Sequence, residues 1–379
     1  MRGKYLVAAL SIMCVRALSA VTPVASATFE GGEQGRILVQ AKINGKGPYP
    51  FIFDTGSVNI LSLDVANQLG ITVSGKQQID AFGGSVESAS AVLESITVGD
   101  VTMSRNEVLV IGGGPFTNGG PVGFLGWQFL LKLVVEVDYQ HGVLNFYNPE
   151  TYTYPGLGAR VPVTTSGNLI LIPARIYGQP ASIELDSGNE NSALVLFRRF
   201  VAEHQLHSNI QAITGYGFGG LTRAMVTRAP ALVIGDLEIR SPLVHLSVDT
   251  SGVEGGNFDI DGNLGAPILR EFTCIYDLPH KAVYLEPNTW FNKPELDDHS
   301  GLVLDTRRAV AEVLYVYPGS PAAQAGITAG DQLAAGNGKG LPEDQWHDSL
   351  DAPPGTVVYI QVNHHGQRRK ISLTLRSYL

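Results

Sequence analysis

The chain has 379 residues, enough for two or three domains, and 44% of them are hydrophobic against 16% charged, a balance that supports a sizeable core and excludes a disordered polymer. Its 44 glycines favour turns and hairpins over long helices. A formal net charge of −9 argues against a nucleic-acid partner.

The N-terminus carries Arg2 and Lys4, a short apolar run from Tyr5 to Val15, and the small-residue stretch Ala25-Ser26-Ala27. This is the layout of a secretory signal with cleavage after Ala27, so residues 1–27 are expected to be a signal peptide and the protein to be periplasmic or secreted. The apolar run is too short to span a bilayer and no later segment is long enough, so no stable membrane span is expected. Cys14 would leave with the signal, and Cys274 would then have no partner for an intrachain disulfide.

The first half of the remaining chain, residues 28–155, begins with a strand from Ile37 to Ile43 and the turn Asn44-Gly45-Lys46-Gly47-Pro48. The next apolar strand delivers Asp54, followed by Thr55, Gly56 and Ser57. A carboxylate at a strand end, then a small hydroxyl residue, then glycine, is a tight turn that directs the carboxylate away from the sheet. Asp64 to Leu69 reads as a short helix closed by Gly70. Phe82, Gly83 and Gly84 sit at a hairpin tip, where glycine permits positive φ. Phe124-Leu125-Gly126 follows, then Trp127 to Leu133 with apolar residues at helical spacing. Val134–Asp138 and Val143–Tyr147 form a hairpin around Gln140-His141-Gly142.

The second half, residues 156–291, repeats the first. Asp54-Thr55-Gly56-Ser57 answers to Asp186-Ser187-Gly188-Asn189, and Phe82-Gly83-Gly84 to Phe218-Gly219-Gly220. Val98-Gly99-Asp100 answers to Ile234-Gly235-Asp236, Leu125-Gly126 to Leu264-Gly265, and Asp138 with His141 to Asp277 with His280. A matching spacing sustained over several landmarks implies two similar lobes related by a pseudo-twofold axis, which brings like elements face to face. Gly215 to Gly220 matches a dinucleotide fingerprint by spacing, but the following residues contain Pro230 and do not open a helix, so a second hairpin tip explains it better. Ala193 to Leu206 is the longest helical candidate. His204 and His207 lie on one side of it and read as a solvated end, not a metal site. The motifs of serine hydrolases and zincins are missing, and no metal or cofactor is expected.

Residues 292–299 are polar, contain Pro294, and read as a linker. Beyond them the repeat stops. Gly301–Leu304 and Val313–Val316 read as strands, followed by Gly319-Ser320-Pro321-Ala322-Ala323-Gln324-Ala325-Gly326-Ile327 and Gly330-Asp331-Gln332-Leu333. Residues 300–379 closely resemble bacterial PDZ domains. That resemblance implies binding of an extended peptide, usually a C-terminal one, by strand addition. Ser300, Gly301 and Leu302 would form the carboxylate loop, and a helix near Glu343 to Leu350 the opposite wall, with Trp346 facing in or packing as core.

The duplicated Asp-Thr/Ser-Gly loops resemble those of aspartic peptidases of the pepsin and retropepsin kind. The resemblance implies a mostly β, bilobal acid-protease fold with pseudo-twofold lobes, followed by the PDZ domain. It implies that Asp54 and Asp186 share one proton and activate a water to hydrolyse a protein or peptide substrate. Thr55, Gly56, Ser187 and Gly188 would brace the loops, and Ser57 and Asn189 would adjust the carboxylates. Phe82, Gly83 and Gly84 would be the flap, with Phe82 where pepsin-like enzymes have a tyrosine, and Tyr216 and Phe218 would meet substrate. The second copy departs from the pattern at Ser187, at Asn189 and at Asn263, where the family has an apolar residue. Ser187 keeps the hydroxyl and is neutral; the departures at Asn189 and Asn263 support a rival reading, a bilobal peptide-binding protein without turnover.

Overall fold

The structure is a computed structural model, and it describes residues 21–32, 35–113, 116, 120–167, 169–256, 258–293, 299–306, 310–335, 346, 349–350 and 352–378. Most of the predicted signal, the linker residue Pro294 and Glu343 lie outside the described residues. Among the described residues, three sheets of 13, 10 and 5 strands carry the fold. Strand patterning follows a two-residue period where one face is solvated: in Leu38–Ile43, Val39, Ala41 and Ile43 are buried while Gln40 and Lys42 are exposed. Among the described residues no helix is long and apolar enough to cross a membrane.

The two halves are built alike. In the first, Leu38–Ile43 pairs antiparallel with Lys46–Phe53, which ends at Asp54. In the second, Leu169–Ile176 pairs antiparallel with Gln179–Asp186. A short strand then runs parallel to each carboxylate-bearing strand, Gly123–Leu125 in one case and Gly262–Gly265 in the other. Glycine is required where these strands cross the loops. A Cβ on Gly126 would stand 2.2 Å from Ser57 O, and one on Gly265 1.9 Å from Ser192 O.

The halves join in one sheet. Val134–Asp138 and Phe272–Asp277 are antiparallel neighbours, with Val135 opposite Tyr276 and Val137 opposite Cys274. Each belongs to its own hairpin, closed by Asp138 bonded to His141 and Asp277 bonded to His280, both at 2.7 Å. Ala25–Glu30 and Ala159–Pro162 flank this arrangement on opposite sides. Ala25 is buried and pairs with Phe146, so a cut after Ala27 would remove half of that six-residue strand.

Two helical expectations are corrected. Only Arg198–Glu203 of the 193–206 stretch is helical. Leu194–Leu196 is a strand bonded on both sides, to Leu243–Ser247 and to Gly262–Gly265, and all three of its residues are buried. Burial on both faces removes the alternation that would have marked it as a strand. Trp127–Phe129 is a single 3-10 turn, not a helix reaching Leu133. The short helix Leu63–Leu69 forms as expected, capped by the Ser62 side chain and by Gly70 at φ 69°.

The C-terminal sheet runs in the order Leu302–Asp305, Ala311–Val316, Gln332–Ala335, Val357–His364, Gln367–Thr374. Pro321–Gln324 is helical, with Ser320 as cap and Gly326 following at φ 70°. Trp346 is core, packed with Leu302, Val313, Leu333 and Leu350. This domain rests on the second lobe through Val303, Tyr315, Tyr317 and Tyr378 against Ala212, Val226 and Leu243.

Candidate active site

The loops after Phe53 and Leu185 meet across the pseudo-twofold axis. Thr55 N–H donates to Ser187 Oγ at 3.0 Å, and Ser187 N–H donates to Thr55 Oγ1 at 3.0 Å. Each hydroxyl then donates onward, Thr55 to Leu185 O at 2.8 Å and Ser187 to Phe53 O at 2.9 Å. Both side chains are fully buried, so these four bonds form away from water and hold the loops in one register. Ser187 performs the same exchange as Thr55, and the first departure of the second copy is neutral.

The lock sets each carboxyl against the glycine of the opposite loop. Glycine makes the approach feasible. A Cβ on Gly56 would lie 2.6 Å from the Asp186 carboxyl carbon, and one on Gly188 would lie 2.2 Å from Asp54 Oδ2. Gly56 N–H donates to Asp54 Oδ1 and Gly188 N–H to Asp186 Oδ1, both at 2.9 Å. Burial, then the charge of Asp186, holds the Asp54 carboxyl well above the usual carboxylate range. Burial also raises Asp186, but Asn263, Asp54 and the amides of Gly188 and Asn189 all donate to it and oppose the rise. These donors favour the ionised form of Asp186, and Asp54 has fewer of them.

Two expected contacts are corrected. The Ser57 hydroxyl donates to Val58 O at 3.0 Å, not to Asp54. The Asn189 side-chain amide donates to Asn263 Oδ1 at 2.8 Å, and only its backbone N–H reaches Asp186 Oδ1, at 3.1 Å. Asn263 in turn donates to Asp186 Oδ2 at 2.7 Å and to Glu184 Oε2 at 3.0 Å. Glu184 was hidden in the sequence, inside a run that reads as an apolar strand. The signal for it is the register: it stands two residues before Asp186, as Ile52 stands before Asp54. Arg36, from the first lobe, clamps the same loop by an ion pair to Glu190 at 2.5 Å.

Two hairpins bridge the lobes. One is Ser74–Ala81 with Gly84–Val98, tipped by Phe82 and Gly83; the other is Gln211–Gly217 with Gly220–Arg228, tipped by Phe218 and Gly219. The tips meet: Gly219 N–H donates to Phe82 O at 2.9 Å, and Gly83 N–H donates to Glu254 Oε2 at 3.0 Å. Each tip crosses to the opposite lobe. The Phe82 ring packs edge-on against Phe197, with centroids 6.1 Å apart, and Phe218 packs against Phe124 at 5.3 Å and Phe116 at 5.8 Å. The contact that Phe82 makes across the lobes is apolar. Tyr216 is 42% exposed on the outer part of its hairpin.

Gly83 has φ 80°, and a Cβ there would stand 2.2 Å from Gly220 O. Gly83→Ala is expected to lower kcat/KM at least tenfold or so while leaving the melting temperature within a few degrees, since the strain falls on a hairpin tip. Steady-state kinetics alongside calorimetry checks this; unaltered kcat/KM would mean the tips do not meet in the working protein.

In the C-terminal domain, Ser300 is buried, and its carbonyl accepts from Ala322 N–H at 3.0 Å. Leu302 N–H donates to Ser300 Oγ at 3.2 Å. Gly301 has φ 80° and is wedged against Ser320. The strand Leu302–Asp305 stands at one end of its sheet's order beside Ala311–Val316, and its Val303 packs against the second lobe. His204 packs on Phe200, and His207 lies near Gln205 O; among the described residues no group of three His, Cys, Asp or Glu is placed to hold a metal.

Comparison with known families gives the same division. Residues 39–129 match the family described as aspartyl protease, and residues 312–363 match the PDZ domain family. The chain carries an aspartyl protease domain and a PDZ domain. The protease match includes the first Asp-Thr-Gly loop; the second loop is related to it by the internal symmetry described above. Among solved structures, the aspartic proteinase from Irpex lacteus is 14% identical, over 72% of this chain and 98% of that one, with a TM-score of 0.43. No curated protein matches the chain.

Several buried carboxyls of the protease domain share one consequence. Burial pushes Glu254 and Glu271 up to about 7. A carboxyl raised on folding stabilises the folded state while protonated, and that contribution is lost as pH rises through its folded value. Stability is therefore expected to fall between about pH 5 and pH 8, by up to roughly 3 kcal/mol for each group, and the melting temperature with it. Calorimetry across that range checks it, and Glu271→Gln should flatten the slope.

Proposed function

We propose that this protein is an aspartic endopeptidase in which Asp54 and Asp186 are the catalytic pair. The observation that carries the reading is the reciprocal lock of Thr55 and Ser187, which sets two buried carboxyls from separate lobes side by side. One ionised and one protonated carboxyl suit hydrolysis without a covalent intermediate. Asp186 takes a proton from a water lying between them while the water oxygen bonds to the scissile carbonyl carbon. Asp54 passes its proton to the carbonyl oxygen. In the collapse, Asp186 gives a proton to the leaving nitrogen, and Asp54 recovers one from the diol hydroxyl. The hairpins tipped by Phe82 and Phe218 must part to admit an extended peptide and close to exclude bulk water.

The PDZ domain would take a second extended segment, such as a protein C-terminus, with Ser300, Gly301 and Leu302 as its carboxylate loop. Holding one part of a substrate there raises the local concentration of the rest at the cleft. The N-terminal layout supports a periplasmic or secreted setting, where unfolded protein is the natural substrate class.

The test is digestion of a peptide library by the wild type and by Asp54→Asn across pH 3–8. Cleavage by the wild type that is lost in the variant supports the reading. Cleavage that survives refutes the assignment of Asp54. A wild type that cleaves nothing yet binds a statine-type mimic of the tetrahedral intermediate would be a peptide-binding protein without turnover.

A further inference from the structure

The two lobes present the same row of residues beside their carboxylates, with one difference. In the first lobe the register sets Leu38 opposite Ile52, Ile52 opposite Phe124, and Phe124 opposite Ile60. All four pack into one apolar cluster. In the second lobe the equivalent row is Leu171, Glu184, Asn263 and Val195. Its outer members are apolar and buried, but the middle pair is a carboxyl and an amide, exposed by only 4% and 0%. Burying such a pair is costly unless each polar atom is satisfied, so its placement next to Asp186 calls for a role.

The amide is oriented by a chain of bonds. Ser192 N–H donates to Asn189 Oδ1, and Asn189 Nδ2 donates to Asn263 Oδ1. Asn263 must then point its Nδ2 at the carboxyls, and its two hydrogens go to Asp186 Oδ2 and Glu184 Oε2. Accepting from Asn263 favours the ionised form of Asp186. Asp54 has no equivalent donor, because Phe124 stands where Asn263 would be.

We propose that Glu184 is a positioning residue for the carboxyl pair: by holding Asn263 it fixes Asp186 as the ionised member, and as a third carboxyl it sets the pH range over which the pair keeps one proton. Among the described residues the titratable neighbours are few, and Tyr139, which feels the charge of Asp186, is kept neutral by burial. Asp186 lies on the same strand and Asp54 on the facing loop. His245, opposite Val195, is bonded to Ser192 and held neutral by burial, which pushes it down to about 4. Leu171 and the row's other members carry no charge. Glu190, further along the loop, is neutralised by Arg36. Among the described residues no cation pairs with Glu184. When Glu184 ionises, its charge opposes loss of the last proton from the pair and carries the active form to higher pH.

The inference rests on the catalytic reading above, and its test separates the two. The profile of kcat/KM against pH is measured for the wild type, Glu184→Gln, and the double variant Glu184→Ile with Asn263→Phe, which reproduces the first lobe's row and so keeps a packed site. Glu184→Gln is expected to move the alkaline limb down by about one to two pH units. The double variant is expected to move the acid limb up as well, because Asp186 loses its donor. Binding of a statine-type mimic against pH gives the same limbs without turnover. Folded variants whose limbs both stay within roughly 0.3 pH units of the wild type would overturn the role of Glu184. Activity surviving in Asp54→Asn would instead overturn the catalytic reading itself.

Discussion

Asp186→Asn and Asp54→Asn are each expected to lower kcat on the order of 10³-fold or more while raising the melting temperature. The two effects have one cause. In the wild type, two buried carboxyls face each other, and the pair must keep a proton because both cannot ionise. An amide at either position removes the repulsion and the burial of charge, which stabilises the fold. It also removes the acid or the base, each of which contributes about 10²–10⁴-fold to rate. The loss of activity with gained stability separates catalysis from folding: a structural carboxylate, ion-paired or capping, would lose stability on the same substitution. Kinetics on a cleaved peptide together with calorimetry at pH 5 and pH 7 reads both quantities. The stability gain should be larger at pH 7, where the wild-type carboxyls resist ionisation most.

Thr55→Val is expected to destabilise the protein by about 2–4 kcal/mol and to lower kcat/KM at least tenfold. The substitution keeps the volume and removes the hydroxyl. Ser187 N–H then loses its acceptor and Leu185 O loses its donor, both in a fully buried setting, and each unsatisfied group costs about 1–3 kcal/mol. Thr55→Ser keeps the hydroxyl and should recover most of both losses, as Ser187 already does in the second loop. Denaturant unfolding with kinetics on the three proteins checks this. A Thr55→Val protein as stable as the wild type would mean the loops are held by the sheet alone.

Much of this architecture was legible in the residues because it is written twice. The Asp-x-Gly loops, the Gly pairs at the hairpin tips, the Leu-Gly elements and the Asp–His turns are short-range features, and their backbone demands are met by few residue types. Their matching spacing revealed the symmetry. What the spacing could not show is which side chains leave one lobe for the other. Phe82 reaching Phe197, and Phe218 reaching Phe124, depend on how the lobes are set, not on local pattern. Leu194–Leu196 looked helical because a strand buried on both faces has no alternation. Glu184 escaped for a related reason: a strand's two faces cannot be told apart until its register with Gly262–Gly265 is known. Glu254 lies in a four-residue helix without any motif, and only the meeting with Gly83 marks it.

The most direct measurement is a carbon-13 NMR titration of the Asp54 and Asp186 carboxyls in the intact protein. Two protonation steps separated by more than about two pH units, with both carboxyl signals moving in both steps, are the result expected of side chains that jointly hold a single hydrogen ion. Two independent titrations, each centred near the usual carboxylate value and each seen by one carboxyl alone, would contradict the account.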